Sequence, residues 1–197
     1  MLTLKKVAVT GGLASGKSAV CHILEEYGAC VVNADSLVHQ LLSTDASVIE
    51  KVVKKLGPEV ISDYQIDRSK VAKQVFSHKE KLQELENILH PAVFHAIHDL
   101  YKAASATNKY SSFVVEIPLL YETKNESWFD IVVVVMADKE ICIRRAIERG
   151  STLEEYNARM ARQLSPEEKA QKADVVIYNN GTYEILKEQV SKFLSTL

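Results

Sequence analysis

Short unbroken apolar runs alternate with stretches of helical period along this chain. Val7–Thr10 is a run of β-formers stopped by Gly11-Gly12, the pattern of a short buried strand. From Lys17 to about Tyr27 the apolar residues Val20, Ile23 and Leu24 recur at helical spacing, and Gly28 suits the C-terminal stop. "CVVNAD" then predicts a second strand, ending at Asp35. Strand, helix and strand in so short a stretch form a βαβ unit. Such a unit implies a parallel sheet with a right-handed crossover.

Residues 36–105 change character. "VIEKVVKKL", "KVAKQVF" and "KEKLQELENILHPAVFHAIHDLYKAA" carry Lys, Glu, Leu and Val at helical periods and predict an insertion of several helices. Leu82, Leu85, Ile88 and Leu89 form an apolar stripe that suits core packing. Pro91 predicts that a helix ends or restarts there. "FVVEIPLLYE" (Phe113–Glu122) resumes the sheet. "DIVVVVM" (Asp130–Met136) is so uniformly apolar that both its faces must be covered, as in a central parallel strand. A helix follows from about Asp138 to Arg149. "ADVVIYNNG" (Ala173–Gly181) predicts a fifth strand ending in a turn, and "TYEILKEQVSKFLSTL" a closing amphipathic helix. The expected architecture is α/β: a three-layer α/β/α core with a five-stranded parallel sheet and two helical excursions. The core takes residues 1–35, 106–143 and 166–197; the excursions are 36–105 and 144–165.

Composition narrows the function classes. The 197 residues suffice for one domain with a substantial core. A net charge of −2 gives no support to binding nucleic acid by bulk positive charge. No apolar run approaches the roughly 20 residues needed to span a bilayer, and the N-terminus has no signal-peptide pattern. Cys21, Cys30 and Cys142 are odd in number, far apart and set in apolar surroundings. They read as free buried thiols in a reducing compartment, hence a cytoplasmic protein. The six histidines form no metal-ligating constellation.

The loop after the first strand carries the chemistry. Gly11, four residues, then Gly16-Lys17-Ser18 satisfies G-x-x-x-x-G-K-[ST], with a strand before it and a helix after it. Gly11, Gly12 and Gly16 allow backbone angles closed to other residues and let the chain approach phosphate. The amides of such a loop open on an anion-sized concavity at a helix N-terminus. Lys17 supplies a point charge between β- and γ-phosphates, and Ser18 a hydroxyl for Mg²⁺. A nucleoside triphosphate with Mg²⁺ is the expected ligand. Neither D-x-x-G after a strand nor N-K-x-D stands where a GTP-dependent switch would need it.

Five of the six arginines lie between residues 144 and 162: Arg144, Arg145, Arg149, Arg159 and Arg162. Between them "STLEE" offers Ser151 or Thr152 with Glu154 or Glu155 as a capping box for a new helix. Guanidinium groups suit planar phosphate recognition, so the segment reads as a lid over the triphosphate. A solvated basic face is the alternative. Asp35, at the carboxyl edge of a parallel sheet, could take the proton of an acceptor hydroxyl or cap the following helix. Glu116, on the same edge, could hold Mg²⁺ through water or pair with a neighbouring Lys or Arg.

"VTGGLASGKSAV", "VVNADSLVHQLL", "LENILHPAV", "VVEIPLLYE" and "RQLSPEEKAQKADVVIYNNG" resemble, in order and spacing, the dephospho-coenzyme A kinases. The resemblance spans nearly the whole chain. It implies transfer of the ATP γ-phosphoryl group to the 3′-hydroxyl of dephospho-CoA, the last step of coenzyme A synthesis, on a P-loop core with a helical acceptor-binding domain and a lid. Asp35 then matches the general base. Gly11, Gly12, Leu13, Ala14, Ser15, Gly16, Lys17, Ser18 and Ala19 match the phosphate loop, and Arg149 and Arg159 the charge-neutralising lid groups. His90-Pro91 matches the acceptor side. Asn179 and Gly181 match the turn that lines adenine. The chain departs from the family pattern at Ala14 (usually glycine), Ala19 (commonly threonine), Asn33 and Tyr178 (both commonly acidic). The expectation is a monomer that acts on ATP and dephospho-CoA and binds neither nucleic acid nor membrane. The rivals are a kinase of another small acceptor and a non-catalytic nucleotide-binding regulator.

Overall fold

The computed structural model describes residues 4–76 and 78–197. Residues 1–3 of the expected core and residue 77 of the expected insertion lie outside them. The chain forms two units. One comprises the described residues up to Asn33 together with Ala103–Leu197, the other Ala34–Lys102.

The first unit is built on β1 (Lys6–Gly11), α1 (Lys17–Glu26) and β2 (Cys30–Asn33). The chain then passes through the second unit, made of α2 (Ala34–Thr44), α3 (Ala46–Leu56), β3 (Ile61–Ser62), β4 (Gln65–Ile66), α4 (Arg68–Phe76) and most of α5 (Lys79–Thr107). It returns as β5 (Phe113–Glu116), β6 (Ile131–Met136), α6 (Lys139–Glu148), α7 (Leu153–Met160), α8 (Pro166–Lys172), β7 (Val175–Tyr178) and α9 (Tyr183–Leu194).

In the first unit five parallel strands run in the order β2-β5-β1-β6-β7, with helices on both faces. The strand period of two explains which residues meet which layer. Val7, Val9, Val114, Val133, Val135 and Ile177 pack with Val20, Ile23 and Leu24 of α1 and with Leu186, Val190 and Phe193 of α9. Most of these are solvent-free, and each fully buried Val, Ile or Leu is worth about 1.5–3 kcal/mol. Register then levels the carboxyl ends of the strands. Glu116 lies opposite Asn33 on one side and Val9 on the other, while Gly11 lies opposite Val135. Pro118, without an N–H, follows closely where β5 stops.

The second unit has its own core of Leu42, Val48, Val52, Leu56, Val60, Val71, Val75, Leu85 and Leu89. Asp45 caps α3 by accepting the Val48 amide at 2.9 Å. The insertion is mostly helical, as expected, with one small addition: β3 and β4 form an antiparallel hairpin turned by Asp63 and Tyr64, both with positive φ (48° and 64°). Two expectations are corrected here. Helix α5 does not break at Pro91 but runs unbroken for 29 residues. Leu85, Leu89, Val93 and Ile97, four residues apart, are all buried, and that continuous seam outweighs the one hydrogen bond Pro91 cannot donate. Finally, β2 ends at Asn33, and Ala34 and Asp35 already belong to the first turn of α2. Alanine is the best helix former, and an aspartate is favoured at the positive end of the helix dipole. Among the described residues, no helix is long and apolar enough to cross a membrane.

Candidate functional site

The loop from Gly11 to Ser18 joins β1 to α1. Gly11 and Gly16 have φ of +144° and +102°. A Cβ on Gly11 would collide with the Val135 carbonyl, and one on Gly16 would land on the Asn179 amide nitrogen. Both positions therefore require glycine. Gly12 was expected to share this need and does not: its φ is ordinary, and a Cβ there would make only van der Waals contact with Pro166 and Met160 at 3.4 and 3.5 Å. Ala14 instead adopts the third left-handed conformation, with φ of +59°.

Helix α1 begins with neither a side-chain cap nor an acidic residue in its first turn. The positive end of its dipole is thus left for an anion. Lys17 is 8% exposed, and its ammonium donates to the carbonyl oxygens of Gly12 at 2.8 Å and Gly11 at 3.2 Å. These are loop groups, so the charge is stored beside the anion site. The next residue faces another group: Ser18 Oγ donates to Glu116 Oε1 at 3.0 Å, and Asn33 Nδ2 donates to Glu116 Oε2 at 2.9 Å. Burial, and then the Glu116 charge, push the Cys21 thiol well above its usual range. Burial also raises Cys142. Neither thiol is a nucleophile at neutral pH. Both are buried and Cys30 is half-buried; all three are free.

The turn after β7 braces this loop. The buried Asn179 donates its side-chain amide to the Ser15 carbonyl at 2.9 Å. The Asn179 carbonyl accepts from Arg145 Nη2 at 3.1 Å. Asn180 and Asp138 exchange two hydrogen bonds of 2.8 Å, tying the turn to the start of α6. Gly181, the other adenine-side expectation, is exposed.

The arginines do not act as one group. Arg144 forms a loose surface pair with Glu148 at 3.9 Å. Arg145 supports the turn, with Nη1 buried and unpartnered. Arg149 caps the C-terminus of α6 and Arg159 lies in the last turn of α7; both are exposed. The capping box resolves to Thr152 and Glu155, with both reciprocal bonds at 3.1 Å. A cavity of about 450 Å³ lies between the phosphate loop, α7 and α8, lined among others by Leu13, Ser15, Tyr156, Met160 and Ser165. Ser15 is 2% exposed and its hydroxyl has no partner. Met160 Sδ accepts the Leu13 amide at 3.4 Å.

The first unit thus brings together Gly11–Ser18, Glu116 and Asn179 and carries Gly181, Arg149 and Arg159. Asp35, His90 and Pro91 lie in the second unit. Asp35 is exposed in the first turn of α2, His90 is half-buried in α5, and Pro91 is exposed beside it. Sequence reasoning overlooked Arg145 as the brace of the turn, Met160, and the pair formed by the half-buried Glu122 and the buried Lys169. Nothing in a lysine within "SPEEKAQK" signals burial.

Comparison with known proteins adds to this geometry. The sequence model of the dephospho-CoA kinase family matches residues 5–184. The chain is 45% identical over 199 residues to a dephospho-CoA kinase of Protochlamydia amoebophila, covering all of this chain and 98% of that protein. A crystal structure of a Thermus thermophilus protein superposes with a TM-score of 0.83 at 31% identity, with 98% of both chains covered. A dephospho-CoA kinase from Campylobacter jejuni gives 0.66 at 30% identity, covering 98% of this chain and 96% of that one.

Proposed function

The chain belongs to the dephospho-CoA kinase family, and we propose that Asp35 is its general base. The enzyme moves the γ-phosphoryl group of ATP onto the 3′-hydroxyl of dephospho-CoA. One observation carries the assignment of the donor side: a buried ammonium, Lys17, parked on two carbonyls at the uncapped N-terminus of α1. Triphosphate oxygens take the loop amides, and Lys17 leaves the carbonyls for the β- and γ-phosphates. Charge on the migrating group is neutralised by Lys17 and by two exposed guanidiniums, Arg149 at the C-terminus of α6 and Arg159 in the last turn of α7.

Asp35 takes the proton of the attacking hydroxyl. No hydrogen bond or ion pair engages its carboxylate among the described residues, so it is free to accept one. His90 and Pro91 help form the acceptor side, while Asn179 and Gly181 border the adenine of ATP. Ser18 and Glu116 fit Mg²⁺: they offer two oxygen donors 3.0 Å apart, and this ion needs few protein ligands when phosphates supply the rest. When bound, Mg²⁺ neutralises charge between the β- and γ-phosphates. Glu116 would hold it through water, with Asn33 keeping the carboxylate in place. The enzyme acts as a cytoplasmic monomer in this reading.

Incubation with ATP, Mg²⁺ and dephospho-CoA tests the proposal. Mass spectrometry should find one added phosphate on the acceptor, and an Asp35→Asn enzyme should make almost none while still binding ATP. Equal product from the variant would remove Asp35 from the mechanism.

A further inference from the structure

Lys169 is the one fully buried lysine among the described residues. It lies in α8, outside every group assigned above to phosphate transfer. Burying an ammonium is costly unless it is paired and hydrogen-bonded. Here it has three acceptors: the Pro118 carbonyl at 2.7 Å, Glu122 Oε1 at 2.9 Å and Gln163 Oε1 at 3.4 Å. Glu122 Oε1 also takes the Leu164 amide at 2.8 Å. The Pro118 carbonyl also takes the Thr10 hydroxyl at 3.2 Å. Three segments therefore converge on one buried charge: the loop after β5, the last residue before the glycine loop, and the stretch joining α7 to α8.

That stretch is where the arginine-bearing segment ends. Arg159 and Arg162 stand just before Gln163 and Leu164, both of which the cluster holds. The other end of the segment is different. Gly150 has φ of +89°, and a Cβ placed on it would meet nothing within 4 Å. One end of the segment is pinned to the core by an ion pair between the fully buried Lys169 and the half-buried Glu122, and the other ends in an uncrowded glycine.

We infer that Lys169 is a positioning residue for the lid: with Glu122 it fixes the pivot at Gln163–Leu164 about which α7 swings Arg159 toward the phosphates, while Gly150 takes up the backbone change. This inference rests on the kinase reading above. Every partner of Lys169 and Glu122 in the cluster is a protein group. The cluster sets where Arg159 arrives, and misplacing a charge-neutralising group by about 1 Å can cost on the order of 10²-fold in rate.

The test is a paired substitution. Lys169→Met alone leaves the half-buried Glu122 carboxylate without its partner and confounds folding with function. Lys169→Met with Glu122→Gln removes both charges and keeps an acceptor for the Leu164 amide. If the pair positions the lid, this double variant binds ATP within about threefold of wild type but turns over about 10²-fold more slowly at saturating substrates. It also releases more ADP per acceptor phosphorylated, because a misplaced lid admits water. A folded double variant with wild-type turnover and coupling overturns the inference and leaves the pair purely structural.

Should the double variant not fold, hydrogen exchange on the wild-type enzyme decides. The Leu164 amide must keep the same slow exchange when ATP and dephospho-CoA bind, while the Gly150 amide changes; any other pattern overturns the pivot. Wild-type enzyme that fails to phosphorylate dephospho-CoA would instead sink the kinase reading, and the exchange pattern on binding ATP alone would still judge the anchor.

Discussion

The Asn179 side chain reaches across 164 residues of sequence to donate to the Ser15 carbonyl, in the space that a Cβ on Gly16 would need. The absent side chain at Gly16 and the amide of Asn179 are two halves of one contact. Asn179→Ala should therefore do two things. It should cost about 1–3 kcal/mol by leaving the buried Ser15 carbonyl without this partner. It should also weaken ATP binding more than acceptor binding, because the loop loses its brace. Urea unfolding and ATP titration measure the two separately. Loss of stability with unchanged ATP affinity would show that the loop holds its shape unaided.

Asp35→Asn preserves the size of the side chain and removes the basic oxygen. ATP affinity should stay near wild type. Turnover should fall at least about 10²-fold, the range for losing a general base. Separate measurement of kcat and of ATP binding checks this, and a fall in both together would mark Asp35 as structural.

The donor half of the site was legible because the phosphate loop is a local device. Its residues lie within eight positions of one another, Gly11 and Gly16 are dictated by backbone angle, and Lys17 and Ser18 follow Gly16 directly. β1, β5 and β6 were legible because burial on both faces leaves little choice but small or β-branched apolar residues, and the half-buried edge strands β2 and β7 because each is a short β-branched run next to a turn. What escaped depends on distant partners. Glu122 and Lys169 read as solvated charges until the fold brings them together. The hairpin at Ile61–Ile66 turns on Asp63-Tyr64, which lacks the Asn-Gly or Asp-Gly signature of such turns. Pro91 reads as a break because its local cost is visible in sequence and the compensating seam is not. Asp35 was placed two residues too far along the strand because "CVVNAD" carries no signal dividing strand from helix.

Asn33 stands where the family commonly has an acid, and its amide donates to Glu116 at 2.9 Å. Asn33→Asp would replace that donor with a second negative charge beside the first. In the absence of divalent cations the variant should lose on the order of 1 kcal/mol, since the pair is only partly screened by solvent. Mg²⁺ should then stabilise the variant more than it stabilises wild type. Thermal unfolding with and without Mg²⁺ tests both statements. An equal response of the two proteins to Mg²⁺ would argue against a cation beside Glu116.

Asp67 precedes α4 and accepts from the Ser69 hydroxyl at 2.6 Å, the Ser69 amide at 2.9 Å, the Lys70 amide at 3.3 Å and the Ser62 hydroxyl at 3.1 Å. The Ser69 hydroxyl above all, then the Lys70 amide, hold its carboxyl down at about 2, against an ordinary 3.8. A depressed carboxyl stabilises the folded chain fully above its unfolded value, and the contribution is lost as pH falls toward the folded one. Stability should thus decline between about pH 4 and about pH 2 through this group. Asp67→Asn should lower stability at neutral pH and flatten that part of the profile. Urea midpoints across the range provide the measurement, and parallel profiles for the two proteins would assign the acid transition elsewhere.

Pro91 poses the sharpest conflict between stability and the proposed acceptor role. It sits inside a 29-residue helix, where it removes a backbone donor and crowds the preceding turn. Proline in a helix interior is about 3 kcal/mol worse than alanine, although a native site that has adapted to it recovers part of that. Pro91→Ala should therefore stabilise the protein by roughly 1 kcal/mol or more. If the proline is present only by accident, the variant keeps its kinetic constants. If it shapes α5 so that His90 meets the acceptor, the KM for dephospho-CoA rises while that for ATP holds, and the gain in stability comes with a loss of specificity. We expect the second outcome. Unfolding midpoints combined with KM values for both substrates distinguish the two, and a more stable enzyme with unaltered KM for dephospho-CoA would remove His90-Pro91 from the acceptor site.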